Sequence, residues 1–237
     1  MKEFEGKTAI VTGAASGIGL GLAEKFAKER MQVVMADVEE EALNKAVEKL
    51  KKHQYRVMGI SADVLIQESM KELFDKSIEA YGNIHILCNN AGIGANSGNK
   101  AIWEINKTDW DWSLGVNFYG VLHGLQIFVP HMIDHGEEGH IVTTVSLAGL
   151  LPGAGTYGVS KHAALALTQG LNRDLIARDS KINSSVLCPG FVNTNIMNSE
   201  RNRPQHLVSN NQIDTNDQQL EIFNFLLKNG KEPNEIA

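Results

Sequence analysis

An apolar strand at 8–11 runs into Thr12-Gly13-Ala14-Ala15-Ser16-Gly17-Ile18-Gly19, and a helix follows over 18–28. A strand that breaks at glycines and re-forms as a helix is a βα turn with a purpose. Glycine lets the turn tighten and lets backbone approach a ligand closely, and the helix start offers unpaired N–H groups and a positive dipole end. A plain βα turn needs one glycine. Three glycines spaced four and two apart point to a pyrophosphate cradle.

The same alternation continues along the chain. Strands are expected at 32–37, 55–61, 84–88, 140–145 and 182–187, with helices at 39–53, 67–81, 108–134 and 157–177. With 237 residues, 43% of them hydrophobic and 21% charged, the chain can bury a full core, and one large α/β domain fits better than two small ones. The net charge is −6 and no basic patch stands out, which excludes nucleic acid as the expected partner. No apolar run approaches the ~18 residues of a membrane span, and residues 1–7 carry no apolar signal segment, so a cytoplasmic protein is expected. The two cysteines, Cys88 and Cys188, each end an apolar run and read as reduced, buried thiols.

Several strand ends carry polar or small residues. Asp37 closes the second strand, 18 residues past Gly19, where an acid can accept hydrogen bonds from a ribose 2′-hydroxyl and would repel a 2′-phosphate. No Arg or Lys directly follows it, so NAD is favoured over NADP; the alternative is a helix N-cap. Asp63-Val64 follows the third strand, and Asp63 is either near an adenine or a loop cap. Asn89-Asn90-Ala91-Gly92 follows the fourth, where small residues leave room for a flat ligand and asparagines can tie strand ends together.

The reactive candidates come later. Tyr157 and Lys161 lie four apart at the start of an apolar helix and so share a face. A lysine cation beside a phenol favours the phenolate and lowers its pKa, making a proton acceptor for an alcohol. Ser146 sits at the end of the fifth strand, 11 residues before Tyr157, with Thr143 and Thr144 as competing hydroxyls. Asn117 lies amid an apolar helix and either satisfies a backbone carbonyl or carries function. His131 and His135 read as a solvated helix end, with no metal site expected. Leu147, Leu150, Leu151, Pro152 and Trp103 suggest an apolar pocket. Pro189-Gly190 turns the chain over the sheet edge. The polar stretch 195–219 suggests a mobile substrate lid, placed within 190–216, and a last amphipathic helix is expected at 217–228.

Together, TGxxxGIG at 12–19, Asp63, the NNAG at 89–92, Asn117, Ser146, Tyr157-x-x-x-Lys161 and Pro189-Gly190 resemble the short-chain dehydrogenase/reductase family over residues 6–194. The resemblance implies a Rossmann-like, doubly wound parallel sheet in three layers. It implies an NAD-dependent oxidoreductase interconverting a secondary alcohol and a carbonyl, assembled as a homodimer or homotetramer. Tyr157 would be the acid/base, Lys161 its pKa partner and a ribose ligand, Ser146 the holder of the substrate oxygen, and Asn117 the anchor of a water leading to Lys161. Gly13, Ser16, Gly17, Ile18, Gly19, Asp37, Asp63, Val64, Asn90, Ala91, Gly92, Pro189, Gly190, Val192 and Thr194 would bind the cofactor, Thr194 near the nicotinamide amide. Two other classes stay open: a non-catalytic NAD-binding regulator, and an epimerase or dehydratase on the same fold. The family usually adds a seventh strand, whereas residues 232–237 read as the first turn of a helix. The expectation is therefore a missing C-terminal strand, by truncation or natural loss.

Overall fold

The computed structural model describes residues 2–94, 100–208, 222 and 225–237. Six strands form one parallel sheet: β1 (Thr8–Thr12), β2 (Gln32–Asp37), β3 (Val57–Ser61), β4 (Ile86–Asn89), β5 (Gly139–Thr144) and β6 (Ile182–Leu187). Their order is β3-β2-β1-β4-β5-β6. The chain winds outward from β1 to β3, returns to the other side of β1, and winds outward again. The reversal opens a crevice between the C-terminal ends of β1 and β4, where doubly wound sheets bind ligands.

Period-two burial explains the layers. On β1, Ala9 and Val11 face one core and Ile10 the other; on β2, Val33 and Met35 oppose Val34; on β4, Ile86 and Cys88 oppose Leu87. A strand apolar on both faces needs a cover on each. Helices α1 (Gly17–Lys28) and α2 (Glu40–Lys51) close the face carrying Ala9 and Met35. The other face is covered by α3 (Gln67–Tyr81), α4 (Lys107–Leu114), α5 (Gly120–Asp134) and α6 (Gly155–Ala177).

The expected helix over 108–134 is present but not uniform. Between α4 and α5, Gly115–Tyr119 winds as a π-helical segment containing Asn117. Such segments insert a residue into the helical ladder and re-aim its side chains.

The fourth strand starts at Ile86, not Ile84, because Ile84 is occupied elsewhere. Its N–H donates to His131 Nε2 at 3.4 Å, and its carbonyl bonds His135 Nε2 at 2.8 Å. These two histidines are therefore half-buried braces, not the solvated helix end expected of them. Their rings lie 5.2 Å apart, and His85 lies 5.4 Å from His135. His85 Nδ1 accepts from Thr8 N–H at 3.1 Å, and its Nε2 meets Glu137, which also pairs with Lys7.

After β6 the chain does not run bare. Ile196–Asn202 and Gln205–Leu207 form short 3-10 turns over the crevice; residues 209–216 of the expected lid lie outside the described residues. Of the helix expected at 217–228, residues 222 and 225–228 are described, and they are helical. Lys231 makes a parallel bridge with Val192, and a last turn, Pro233–Ile236, packs on α1. Among the described residues no strand pairs with the outer edge of β6, and no helix is long and apolar enough to cross a membrane. Cys88 is buried, which pushes its thiol up to about 12, and Cys188 is half-buried; both are unpaired.

Burial holds the His85 and His131 pKa values below their ordinary 6.5. Protonation favours the unfolded chain, so the stability held above the unfolded value is lost as pH falls through 6.5 toward the lower folded values. Glu137, held down to about 2 chiefly by Lys7, acts only in a separate window below 4.5. The unfolding midpoint is expected to drop between about pH 7 and 5, and His85→Gln to lessen that slope. A flat midpoint across that interval would contradict the brace.

Candidate active site

A cleft of about 930 Å³ follows the C-terminal ends of the strands. Its floor is the glycine turn. Gly13 has φ +67, and a Cβ there would lie 2.8 Å from Ala91 Cα. A Cβ on Gly19 would lie 2.1 Å from Gly13 O and 2.6 Å from Asn90 Nδ2. Any side chain at either position would push α1 and the turn off the end of β4. Ser16 stands at the α1 N-cap without a side-chain cap bond, so the helix start faces the cleft with N–H groups to offer. Gly17, Ile18 and Thr194 line the same end, with Thr194 Cγ2 only 3.1 Å from where a Gly17 Cβ would sit.

Asp37 is not the α2 N-cap; that position is Glu39. Asp37 Oδ2 accepts from Ala15 N–H at 2.9 Å and Oδ1 from Glu39 N–H at 3.0 Å. The carboxylate thus joins the end of β2 to the glycine turn. Burial raises its pKa, and the two backbone donors oppose that. Asp63 caps its own loop, Oδ1 accepting from Leu65 N–H at 2.9 Å, while it and Val64 also line the cleft. Its two readings are compatible.

Asn90 ties the strand ends together. Its Nδ2 donates to Thr12 O at 3.0 Å, its N–H donates to Thr12 Oγ1 at 3.0 Å, and its Oδ1 accepts from Thr144 Oγ1 at 3.0 Å. Ala91 N–H also donates to Thr12 Oγ1, at 3.1 Å. The knot joins β1, β4 and β5. Asn89 takes no part: it is buried and its amide atoms have no hydrogen-bond partner. Thr12 was invisible to sequence reasoning, because a threonine at a strand end is commonplace.

The reactive candidates converge at the other end. Helix α6 carries Tyr157 and Lys161 on one face, with the ammonium 5.8 Å from the phenol ring centroid. Lys161 is 3% exposed, donates to Thr144 O at 3.0 Å, and is pushed down to about 8 by burial. Burial raises the Tyr157 phenol pKa, and Ser146, which lines the same cleft, opposes that without outweighing it. This reverses the expected direction: burial of the Tyr157 phenol outweighs the pairing expected from Lys161. Thr144 and Thr143 do not compete with Ser146. Thr144 Oγ1 is bonded to Asn90, and Thr143 Oγ1 accepts from Thr168 at 2.9 Å inside the core.

Asn117 satisfies a backbone carbonyl, the first of its two expected readings. Its amide bonds Ile93 N–H at 2.9 Å and Ile93 O at 3.0 Å, and Nδ2 donates to Ser160 Oγ at 3.0 Å. It is fully buried behind the cleft wall. Asn117 Oδ1 and Lys161 Nζ approach one point beside Gly92, at 3.2 and 3.1 Å from where its Cβ would be. Pro189, Gly190 and Val192 complete the rim. Leu147, Leu151 and Pro152 line the apolar part, but Leu150 does not. Trp103, 83% exposed, does not either; the tryptophan facing the cleft is Trp112, hidden to sequence reasoning within a polar helix turn.

Residues 7–205 match the family model described as short chain dehydrogenase. The chain belongs to the short-chain dehydrogenase/reductase family. It is 38% identical over 189 residues to the 1-deoxy-11-beta-hydroxypentalenate dehydrogenase of Streptomyces avermitilis, covering 79% of this chain and 69% of the other. A short-chain dehydrogenase/reductase from Burkholderia phymatum, solved in complex with NAD, superposes with a TM-score of 0.94 at 40% identity, covering all of this chain and 84% of that one. An alcohol dehydrogenase from Thermococcus sibiricus, complexed with 5-hydroxy-NADP, gives a TM-score of 0.76 at 26% identity, covering 97% and 86%. The short-chain dehydrogenase fold binds a nicotinamide cofactor, and this chain fits one. The glycine turn admits no Cβ, the α1 start is uncapped, and Asp37 and Lys161 stand in the same cleft.

Asn90→Ala would leave Thr12 O and Thr144 Oγ1 without that partner. Each orphaned buried group costs about 1–3 kcal/mol, so denaturant unfolding should show a loss of that order. A loss below about 0.5 kcal/mol, the usual range of surface substitutions, would mean that the knot is not holding the strand ends.

Proposed function

We propose that this oxidoreductase interconverts a secondary alcohol and a carbonyl using NAD, with Tyr157 as the acid/base. The observation that carries this is the convergence of Ser146, Tyr157 and buried Lys161, its ammonium 5.8 Å from the phenol ring centroid, in one cleft with the glycine turn and Asp37. The bound cofactor would supply the hydride acceptor or donor. Ser146 and Tyr157 would grip the substrate oxygen between two hydroxyls. Tyr157 would take the alcohol proton during oxidation and return it during reduction. Lys161, still mostly protonated below about 8, places a cation beside the phenol and can also bond ribose hydroxyls. Asn117, clamped to Ile93 and Ser160, would hold the π-helical segment and Lys161's surroundings in place.

The cofactor set is Gly13, Ser16, Gly17, Ile18 and Gly19 for the pyrophosphate, and Asp37 for the adenosine ribose. Asp63, Val64, Asn90, Ala91 and Gly92 would line the adenine and ribose side, and Pro189, Gly190, Val192 and Thr194 the nicotinamide side. All but Gly19 and Asn117 of the proposed site residues line the cleft, and those two lie buried beneath it. Leu147, Leu151, Pro152 and Trp112 favour a substrate with an apolar body. The described part of the expected lid, residues 190–208, would cover the cleft, with Ile196, Met197, Ser199 and Pro204 in its lining. We further propose a homodimer or homotetramer packed through α5 and α6, which expose Ile133 and Ile176. The unpaired thiols suit the cytoplasm.

Tyr157→Phe removes one oxygen and keeps the ring. General acid–base groups contribute about 10²–10⁴-fold, so turnover with an alcohol panel should fall by that order while NAD affinity, measured by titration, stays within about threefold. Lys161→Ala should weaken both. Near-normal turnover of Tyr157→Phe would route the proton elsewhere, and NAD binding with no turnover across a broad panel would favour the regulator. Because the phenol must ionise to accept a proton, alcohol oxidation should rise with pH from neutrality, and carbonyl reduction should fall. A monomer mass by light scattering at micromolar concentration would overturn the assembly.

A further inference from the structure

The β2–α2 turn has a partner that no local motif reveals. Arg201, on the 3-10 turn after β6, reaches back 162 residues to Glu39. Its Nε donates to Glu39 Oε2 at 3.2 Å and its Nη2 to Oε1, a forked pair, and Asn202 Nδ2 adds a bond to Oε1 at 3.0 Å. Glu39 N–H is itself bonded to Asp37 Oδ1. Asp37, Glu39 and Arg201 all line the cleft, and Arg201 is the cation there that sits against the β2–α2 turn; Lys161 lies at the far end.

An arginine fork matches a phosphate as well as it matches a carboxylate. The cleft therefore holds the group that would recognise a 2′-phosphate, but that group is already engaged. We propose that Glu39 is a second determinant of cofactor choice: by occupying Arg201 it withholds the guanidinium from a 2′-phosphate and leaves Asp37 to exclude NADP. With Glu39 paired, the three charges sum to −1; with Glu39 neutral, they sum to zero and the fork is free. Arg201 and Glu39 are each about a third exposed, 31% and 29%, so the pair can exchange partners without opening the core. Arg203, two residues on, is fastened separately. It pairs with Asp109 at 2.9 Å, and its guanidinium carbon lies 4.1 Å from the Trp112 ring centroid. The turn carrying Arg201 thus stays anchored when the Glu39 contact is lost.

This deepens the NAD reading and rests on it, and the two fail differently. NAD and NADP are titrated calorimetrically into the unmodified protein, Glu39→Gln, Arg201→Ala and the double variant. Glu39→Gln should tighten NADP about tenfold, the scale of one charge-assisted contact, with NAD changing less than about threefold. The double variant should lose that gain. Arg201→Ala alone bares the Glu39 carboxylate and should widen the preference for NAD. A folding defect would weaken both cofactors together and leave their ratio untouched. The proposal is overturned if Glu39→Gln leaves the NADP/NAD ratio unchanged, or if the gain survives in the double variant. Should Glu39→Gln not fold, an unchanged ratio in Arg201→Ala overturns it alone, and a widened one supports it. Equal affinities of the unmodified protein for NAD and NADP would instead defeat the role of Asp37.

Discussion

The strand ends at the switch between β1 and β4 must be held together without closing the gap between them. Thr12 and Asn90 do this with two hydrogen bonds, Ala91 adds a third to the Thr12 hydroxyl, and Thr144 extends the hold to β5. Everything reactive hangs from that edge. The glycine turn leaves β1 one residue past Thr12. Thr144 turns its carbonyl to Lys161 while its hydroxyl holds Asn90, so one residue couples the knot to the ammonium. Ser146 follows two residues later and lines the same cleft as Tyr157. A backbone group orphaned in this knot would loosen both ends of the cleft at once, because little water reaches it to substitute.

Burial sets the electrostatics more than pairing does. Lys161 keeps one backbone acceptor and is 3% exposed, which holds its pKa near 8, and the same burial holds Tyr157 up. Each charged form is costly alone, so phenolate and ammonium are best formed as a pair.

Two anchors hold the segment after β6, and they differ in kind. Arg203 is sheltered, 5% exposed, with Asp109, Glu200 and Trp112 around it. Arg201 is more open and, among the described residues, is held by the β2–α2 turn and its own 3-10 turn. The segment is thereby fixed by a sheltered contact at Arg203 and a more open one at Arg201, which lines the cleft.

The sheet, its helices, the glycine turn, Asp37 and the Tyr157–Lys161 face were legible in the chain, because period-two and 3.6-residue patterns and short motifs are local. The order of Asn117 and Ser146 ahead of them was also legible, through resemblance. What sequence could not decide was set by contacts between distant segments. It could not show that Arg201 pairs with Glu39, since nothing along the chain links positions 162 apart. Nor could it show that Trp112 and not Trp103 faces the cleft, or that His131 and His135 hold the start of β4. The direction of the Tyr157 shift was misread for the same reason. Spacing places a cation beside a phenol, but desolvation depends on how many other segments close over both, and only the packed tertiary structure determines that.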